Sequence, residues 1–169
     1  MEREKLEFDA LFVGAGPANL AGAIHLKKLA QAQNREVEVC VIEKAESIGA
    51  HSLSGAVLDP RALQELLPDF REKGCPIEEA DLRDGVFYLT ATGQFRLPYT
   101  PPYMHNAGCF AISLSKFCAW LGSIAEELGV NLFPGFAGVE ALYDESGRRV
   151  VDVRDDDKGD NKEGQPKSN

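Results

Sequence analysis

The order of apolar and polar residues over the first 43 positions predicts a βαβ unit. An unbroken apolar run over 10–13 ends at a glycine turn, which is typical of a buried strand. Apolar residues then recur at helical spacing over 20–29, after Pro17, whose fixed φ suits the first position of a helix. A second, mainly apolar run over 37–42 closes on Glu43. Strand, glycine turn, helix, strand and acid form the order that a dinucleotide-binding unit requires.

Two further helices and six short strands are predicted beyond this unit. Asp59 and Pro60 are the residue types of a helix N-cap and a first helical position, and an apolar stripe follows until the next proline. An amphipathic helix begins at Ser113 or Ser115 and ends before Gly129, a residue type preferred just past a helix end. Alternation and turn residues predict strands over 87–89, 94–97, 110–112, 130–133, 139–143 and 150–153, the last three forming a β-meander.

Three segments without a clear period are predicted as loops, and the last residues as a tail. Residues 44–56 are mostly small, and residues 70–84 are charged and irregular. Residues 98–108 combine three prolines with tyrosines, which fits either a rigid surface loop or a loop facing a substrate channel or a membrane. Residues 154–169 contain no apolar residue except Pro166, so burial does not offset their ordering entropy, and we expect disorder or a long surface loop there.

Length, charge and cysteine spacing limit the class of protein. A chain of 169 residues accommodates one ordinary domain with a core, and the net charge of −9 argues against a nucleic-acid surface. No apolar run approaches the roughly 20 residues that span a bilayer. The amino-terminal residues lack the pattern of a signal or transit peptide, so we expect a cytosolic protein, most simply a bacterial one. The cysteines at 40, 75, 109 and 118 match no zinc or ferredoxin spacing, and no metal site is predicted within the chain.

The βαβ unit contains the residues that a dinucleotide site needs. Gly14 allows a sharp turn, and Gly16 has no side chain to keep a pyrophosphate away. The helix that follows offers unpaired N–H groups and a partial positive charge to phosphates. Glu43 at the end of the second strand can accept hydrogen bonds from both ribose hydroxyls. Its charge would repel a 2′-phosphate, which favours FAD or NAD over NADP.

Two features refine this prediction. The third glycine of the fingerprint is replaced by Asn19, so either the helix sits further from the sheet or the side chain turns toward the glycine turn and the ligand. The small-residue segment after Glu43 is expected to run along the cofactor, with Gly49, Ser54 and Gly55 as contacts. A cofactor that continues along this loop favours FAD over NAD. No side chain has the setting of a general acid or base, which suits electron transfer.

Several motifs together resemble one family. They are Val-Gly-Ala-Gly-Pro-Ala at 13–18, Ile-Glu-Lys at 42–44, Ile-Gly-Ala-His-Ser-Leu-Ser-Gly-Ala at 48–56, Leu-Gly-Val-Asn-Leu-Phe-Pro-Gly at 128–135 and Met-His-Asn-x-Gly-Cys-Phe at 104–110. With these motifs the chain resembles the amino-terminal part of electron transfer flavoprotein–ubiquinone oxidoreductase. It is more distantly similar to geranylgeranyl-reductase-type and FixC-type flavoproteins.

The resemblance implies an α/β fold, a Rossmann-like FAD-binding domain of the glutathione-reductase type. We expect residues 1–153 to form an incomplete domain of this kind and residues 154–169 to form the tail. In the family the glycine turn wraps the FAD pyrophosphate, the acid holds the adenosine ribose, the 54–55 segment lies near the flavin, and a later strand passes the adenine. The candidate cofactor-binding residues are Gly14, Gly16, Pro17, Ala18, Asn19, Glu43, Lys44, Gly49, Ser54, Gly55, Gly138 and Val139.

The resemblance also implies an activity and partners. In this family FAD and a [4Fe–4S] cluster pass electrons from electron transfer flavoprotein to ubiquinone. The cluster ligands and the quinone pocket are expected beyond this chain's last residue, so we expect a fragment or truncated product that binds FAD poorly alone and does not reduce quinone. The expected location is peripheral to the bacterial inner membrane, on its cytoplasmic side. The family's membrane-contacting helix corresponds to about 60–70, with Leu63, Leu66, Leu67 and Phe70 as the bilayer face.

Two alternatives stay open at this stage. A geranylgeranyl-reductase-like enzyme would use the same FAD-binding unit to reduce carbon–carbon double bonds. A non-catalytic remnant would keep a nucleotide-binding module without the redox chemistry.

Overall fold

The fold is described by a computed structural model that covers residues 5–52, 54–78 and 84–156. The described residues up to 52 and from 114 to 156 form a first unit, and those between 54 and 113 form a second. Ten strands, three α-helices and one 3-10 helix are assigned within these residues. They are β1 (Ala10–Val13), α1 (Pro17–Ala32), β2 (Val39–Glu43), β3 (Ser54–Leu58), α2 (Pro60–Leu66), β4 (Ile77–Glu78), β5 (Phe87–Leu89), β6 (Gln94–Arg96), the 3-10 helix (Pro102–Met104), β7 (Phe110–Ser113), α3 (Leu114–Glu127), β8 (Asn131–Pro134), β9 (Ala137–Tyr143) and β10 (Val150–Asp156).

A three-stranded parallel sheet is the centre of the first unit. Its order is β1–β2–β8, with Val13 beside Ile42 and Glu43 beside Pro134. Parallel neighbours need a crossover, which α1 supplies between β1 and β2. Helices α1 and α3 also contact each other. Among the described residues, the largest fully buried side chains all belong to this unit: Leu20, Ile24, Val39, Val41, Cys40, Cys118 and Leu121.

The predicted βαβ unit is therefore present, with boundaries within three residues of the sequence pattern. The α1 helix begins at Pro17, and its buried residues include Leu20 and Ile24 from the apolar stripe. Strand β2 begins at Val39, two residues after the predicted start, and the carbonyl of Glu38 just before it accepts hydrogen bonds from the N–H groups of Asp9 and Ala10.

The three strands expected as a β-meander divide between two sheets. Strand β8 follows α3 and pairs in parallel with β2, whereas β9 and β10 form a separate antiparallel hairpin. The turn of this hairpin is built by Asp144, whose Oδ1 accepts hydrogen bonds from Ser146 and from the N–H groups of Arg148 and Arg149. Strand β10 continues to Asp156, past the predicted boundary at 153. The remainder of the predicted tail lies outside the described residues.

The second unit contains two antiparallel sheets. One has the order β3–β7–β4, and the other is the β5–β6 hairpin that the sequence predicted. Strands β3 and β4 fall in segments predicted as loops. The β3 segment has small residues without alternation, and a register irregularity lies between Ser54 and Ala56. Strand β4 has only two residues, too few for a periodic pattern.

The apolar stripe expected to face a bilayer is buried instead, although the opposite face of its helix is exposed. Leu63, Leu67 and Phe70 are 5%, 2% and 5% exposed, and Leu66 is half-buried. The prediction that these four side chains form a membrane-contacting face is therefore wrong. The apolar stripe of α2 is covered by the rest of the folded chain, and a stripe in the sequence does not reveal what covers it. None of the described helices is both long and apolar enough to span a membrane.

Candidate functional site

The glycine turn, residues 14–16, connects β1 to α1. Gly14 has φ of +96°, a left-handed conformation that a side chain disfavours, and its N–H donates to the carbonyl of Ile42 at 2.7 Å. Gly16 is extended, with φ of −79° and ψ of 171°. A Cβ added at Gly16 would meet no described atom within 4 Å, so the backbone there faces open space. Open space at this position would allow a ligand group to approach the backbone closely.

The first turn of α1 provides the positive end of a helix dipole beside that space. Pro17 occupies the first helical position, where its missing N–H is no loss. Within this helix, no side chain caps Gly16 and no acidic residue lies in the first turn. The N–H groups of Ala18 and Asn19 are therefore not neutralised by a carboxylate of their own turn. Such an end favours an anionic group.

Glu43 lies at the carboxyl end of β2 and connects two backbone segments. Its Oε2 accepts a hydrogen bond from the N–H of Ala15 at 2.7 Å, and its Oε1 accepts one from the N–H of Ala45 at 2.9 Å. The sequence predicted an acid at this position but not these two bonds. A carboxylate oxygen can accept two hydrogen bonds, so each oxygen keeps an acceptor site. Glu43 can therefore hold the turn and also receive ribose hydroxyls.

Asn19 turns toward the glycine turn, which decides between the two alternatives left by the sequence. Its Nδ2 donates to the carbonyl oxygens of Val13 at 2.9 Å and Gly14 at 2.8 Å. Both N–H groups of the amide are thereby used. The side chain therefore lies alongside the turn rather than between the helix and the strand.

Close packing between α1 and β1 occurs at Gly22, a residue that the sequence reasoning missed. A Cβ added there would lie 3.1 Å from Cε1 of Phe12, tighter than ordinary van der Waals contact. Gly22 follows Asn19 by three residues and so lies on the same helix face, a spacing that could have identified it. The helix thus approaches the strand one turn later than the fingerprint places its third glycine.

Gly138 has a similar packing role at the other side of the turn. A Cβ added at Gly138 would lie 2.9 Å from Cγ1 of Val13 and 3.2 Å from Cδ1 of Ile42, so β9 passes close to the ends of β1 and β2. The next residue, Val139, is 50% exposed. Both predicted adenine-side residues therefore lie near the carboxyl end of the parallel sheet, where ligands of open α/β sheets bind.

The remaining predicted cofactor contacts differ in how exposed they are. Lys44 is exposed directly after the acid. Gly49 is buried with φ of +87°, and a Cβ there would collide with the backbone carbonyl of Ser115, which is a packing reason for glycine. Ser54 and Gly55 belong to β3 of the second unit, where Gly55 has φ of +84° and open space at its Cβ position. Their contacts with a cofactor stay predictions.

Three of the four free cysteines, at 40, 75 and 118, are buried in surroundings that suppress thiol reactivity. Burial raises the pKa of Cys40 and of Cys75 to about 11. Burial is also the main reason that the pKa of Cys118 is raised, although its contact with the Ser52 hydroxyl at 3.6 Å opposes the shift. The thiolate is the nucleophile and the metal ligand, so these groups favour neither role. No group of three or more potential metal ligands occurs within the part of the chain that the structure describes.

Comparison with solved structures shows which proteins share this fold. The fold matches a geranylgeranyl bacteriochlorophyll reductase-like protein of Thermoplasma acidophilum with a TM-score of 0.60 and 17% identity, over 88% of this chain and 34% of that one. It also matches the flavin-dependent monooxygenase PieE, solved with FAD and substrate, with a TM-score of 0.59 and 18% identity, over 85% of this chain and 26% of that one. The predicted fold class, a Rossmann-like α/β fold that these FAD-dependent enzymes share, is therefore confirmed.

Sequence comparison then identifies the particular resemblance. The chain is 47% identical over 99% of its length to the electron transfer flavoprotein–ubiquinone oxidoreductase of Pseudomonas aeruginosa. It is 44% identical, again over 99% of its length, to the mitochondrial protein of the same name from Dictyostelium discoideum. The predicted resemblance is thus confirmed. The chain spans 31% and 27% of these two relatives, and no family model matches it.

Proposed function

We propose that this chain is the FAD-binding part of an oxidoreductase that passes electrons from electron transfer flavoprotein to ubiquinone. The observation that carries the proposal is the arrangement of the open glycine turn, the uncapped helix end and Glu43, in a chain 47% identical to a protein named for that activity. The two electron partners are inferred from the names of the relatives. The choice of FAD is supported by the geometry of the glycine turn and Glu43.

The described residues fit the adenosine diphosphate half of FAD. The open backbone at Gly16 and the first turn of α1 would receive the pyrophosphate, and the remaining acceptor sites of Glu43 would receive the ribose hydroxyls. With the ribose at Glu43, the carboxylate charge would repel a 2′-phosphate, which disfavours phosphorylated nicotinamide cofactors. When bound, FAD supplies the redox chemistry, and the protein supplies binding and orientation. Ligands for a [4Fe–4S] cluster are proposed to come from outside this chain.

The experiment uses the full-length protein that contains this chain. The apoprotein is titrated with FAD, followed by quenching of flavin fluorescence, and the loaded protein is then mixed with reduced electron transfer flavoprotein and a ubiquinone analogue. We expect saturable binding and quinol formation that depends on the reduced flavoprotein. Binding of FAD without quinol formation would contradict the electron-transfer proposal and favour the geranylgeranyl-reductase-like alternative. Absence of FAD binding would contradict the whole proposal and favour the non-catalytic remnant.

We also propose that membrane contact is made by the β5–β6 hairpin rather than by α2. Tyr88, Leu89 and Phe95, here called the hairpin patch, are 58%, 70% and 55% exposed. The rings of Tyr88 and Phe95 lie 5.2 Å apart, and every residue of both strands is exposed. A two-stranded hairpin that exposes apolar residues on both faces is marginally stable in water. Insertion into the interfacial region of a membrane would bury these side chains.

Vesicle sedimentation of the full-length protein tests this contact. The variant Leu89→Glu is compared with the wild type on vesicles of phosphatidylethanolamine and phosphatidylglycerol. Val151→Glu serves as the matched control, because Val151 is 59% exposed on a different hairpin. We expect the bound fraction to fall several-fold for Leu89→Glu alone. Equal binding by all three proteins would contradict the assignment.

A further inference from the structure

We infer that Asn19 is a positioning residue that holds the glycine turn in the shape a pyrophosphate needs, without contacting the cofactor through its amide N–H groups. This inference rests on the proposed FAD binding. It starts from a departure in the sequence, because the fingerprint has glycine at this position and glycine has no side chain. The structure gives that side chain two specific partners.

The hydrogen bonds of Asn19 leave no donor for a ligand. One N–H of Nδ2 is directed to the carbonyl oxygen of Val13 and the other to that of Gly14, at 2.9 and 2.8 Å. An amide nitrogen has only two N–H groups. The remaining side-chain atom that can form hydrogen bonds is Oδ1, an acceptor, which an anionic pyrophosphate would repel. Direct binding of phosphate by this side chain would therefore require breaking an existing bond.

The two carbonyls that Asn19 binds are those whose orientation matters most for an anion. They belong to the two peptides on either side of the Gly14 Cα, where the backbone takes its left-handed conformation. A carbonyl oxygen carries partial negative charge, so one that rotated toward the open space at Gly16 would oppose a pyrophosphate. Asn19 holds both carbonyls directed at its own amide. Glu43 accepts a hydrogen bond from the N–H of Ala15. The peptide between Gly14 and Ala15 is therefore held at both ends, its carbonyl by Asn19 and its N–H by Glu43.

Asn19 is tolerated sterically because the close helix–strand contact lies elsewhere. Gly22 takes that contact against Phe12, as described above. The side chain at position 19 is therefore free to serve the turn. A glycine at this position would satisfy the fingerprint but would leave the carbonyls of Val13 and Gly14 without these two donors.

The test compares Asn19→Gly and Asn19→Leu with the wild type in the full-length apoprotein. Dissociation constants for FAD and for ADP are measured by titration, and melting temperatures confirm folding. Asn19→Gly restores the fingerprint residue, and Asn19→Leu removes the donors without adding backbone freedom. Asn131→Leu is the matched control, because the Asn131 amide also donates to a backbone carbonyl, that of Val39, at the opposite end of the same sheet.

We expect both Asn19 variants to weaken FAD and ADP binding by about tenfold, as loss of two neutral hydrogen bonds predicts, and Asn131→Leu to change neither by more than about twofold. Equal losses for both ligands would place the effect at their shared pyrophosphate half. Unchanged or tighter binding by Asn19→Gly would overturn the inference, as would a loss confined to FAD. If the wild type bound neither ligand, the proposed function would fail as well, whereas wild-type binding without an effect at position 19 overturns only this inference.

Discussion

Replacing Glu43 by glutamine perturbs the site at the point where two backbone segments meet. The carboxylate accepts hydrogen bonds from the N–H groups of Ala15 and Ala45. A glutamine amide keeps one acceptor oxygen, and its other terminal atom is a donor that cannot receive an N–H. One of the two backbone N–H groups therefore loses its partner, while the size of the side chain is unchanged.

The magnitude follows from the kind of bond that is lost. A hydrogen bond to a charged group contributes about 1.5 to 3 kcal/mol, and Glu43 is half-buried, so a loss of about 2 kcal/mol is expected. At 1.4 kcal/mol per tenfold, this corresponds to roughly 30-fold in the local opening equilibrium. We expect the loss to be local, because the hydrogen bonds described for this carboxylate go only to the N–H groups of Ala15 and Ala45.

Amide hydrogen exchange is the appropriate assay, because it reports local opening segment by segment. Peptides that cover Ala15 and Ala45 are followed by mass spectrometry in the wild type and in Glu43→Gln. We expect at least one of the two amides to exchange about 30-fold faster. Glu140→Gln is the control, because Glu140 bonds Arg154 at 2.7 Å on the exposed β9–β10 hairpin and contacts neither amide. Exchange within about threefold of the wild type at both amides would refute the proposed role of Glu43 in holding the turn.

Three further predictions concern packing, pH and thiol reactivity. Gly22→Val places a branched side chain against the ring of Phe12 in β1. We expect about 1–3 kcal/mol of destabilisation, measured as a lower melting temperature. The backbone and side-chain N–H groups of Asn106 hold the pKa of Asp84 below its usual 3.8. The stability that the bonds between Asp84 and Asn106 contribute is therefore present above that pH and is lost as the pH falls through the lowered pKa. Amide hydrogen exchange of the peptides that contain Asp84 and Asn106, followed as the pH is lowered, measures this loss. Because burial raises the pKa of Cys40 and Cys75 to about 11, both should react slowly with iodoacetamide at pH 8, measured by mass spectrometry.

Each of these predictions has a control that separates its cause. Ala32→Val adds the same β-branched residue to an exposed position of α1 and should cost only a few tenths of a kcal/mol. Asp84→Asn removes the titrating group, so acid sensitivity of the loop that persists in this variant would contradict the assignment. Denatured protein should alkylate quickly at all cysteines, and equally fast reaction of the folded protein would contradict the burial argument.

Local sequence patterns predicted the βαβ unit because its signals are contiguous. The apolar run of β1, the glycine at the positive-φ position and the proline at the first helical position each restrict the backbone where they stand. The hairpin β5–β6 and helix α3 were predicted for the same reason. Strand β3 was missed, because Ser54, Gly55 and Ala56 have neither bulk nor alternation, and only pairing with β7 makes them a strand.

By itself, the sequence determined the fold class, the position of the glycine turn and the acid at the end of β2. Only the tertiary structure decided that Asn19 binds the carbonyls of Val13 and Gly14, that Gly22 replaces the third glycine in packing, and that the stripe of α2 is buried. The physical reason is the range of the interactions. Backbone conformation depends on neighbouring residues, whereas the partner of an amide and the cover of an apolar face depend on which distant atoms the fold brings within a few ångströms.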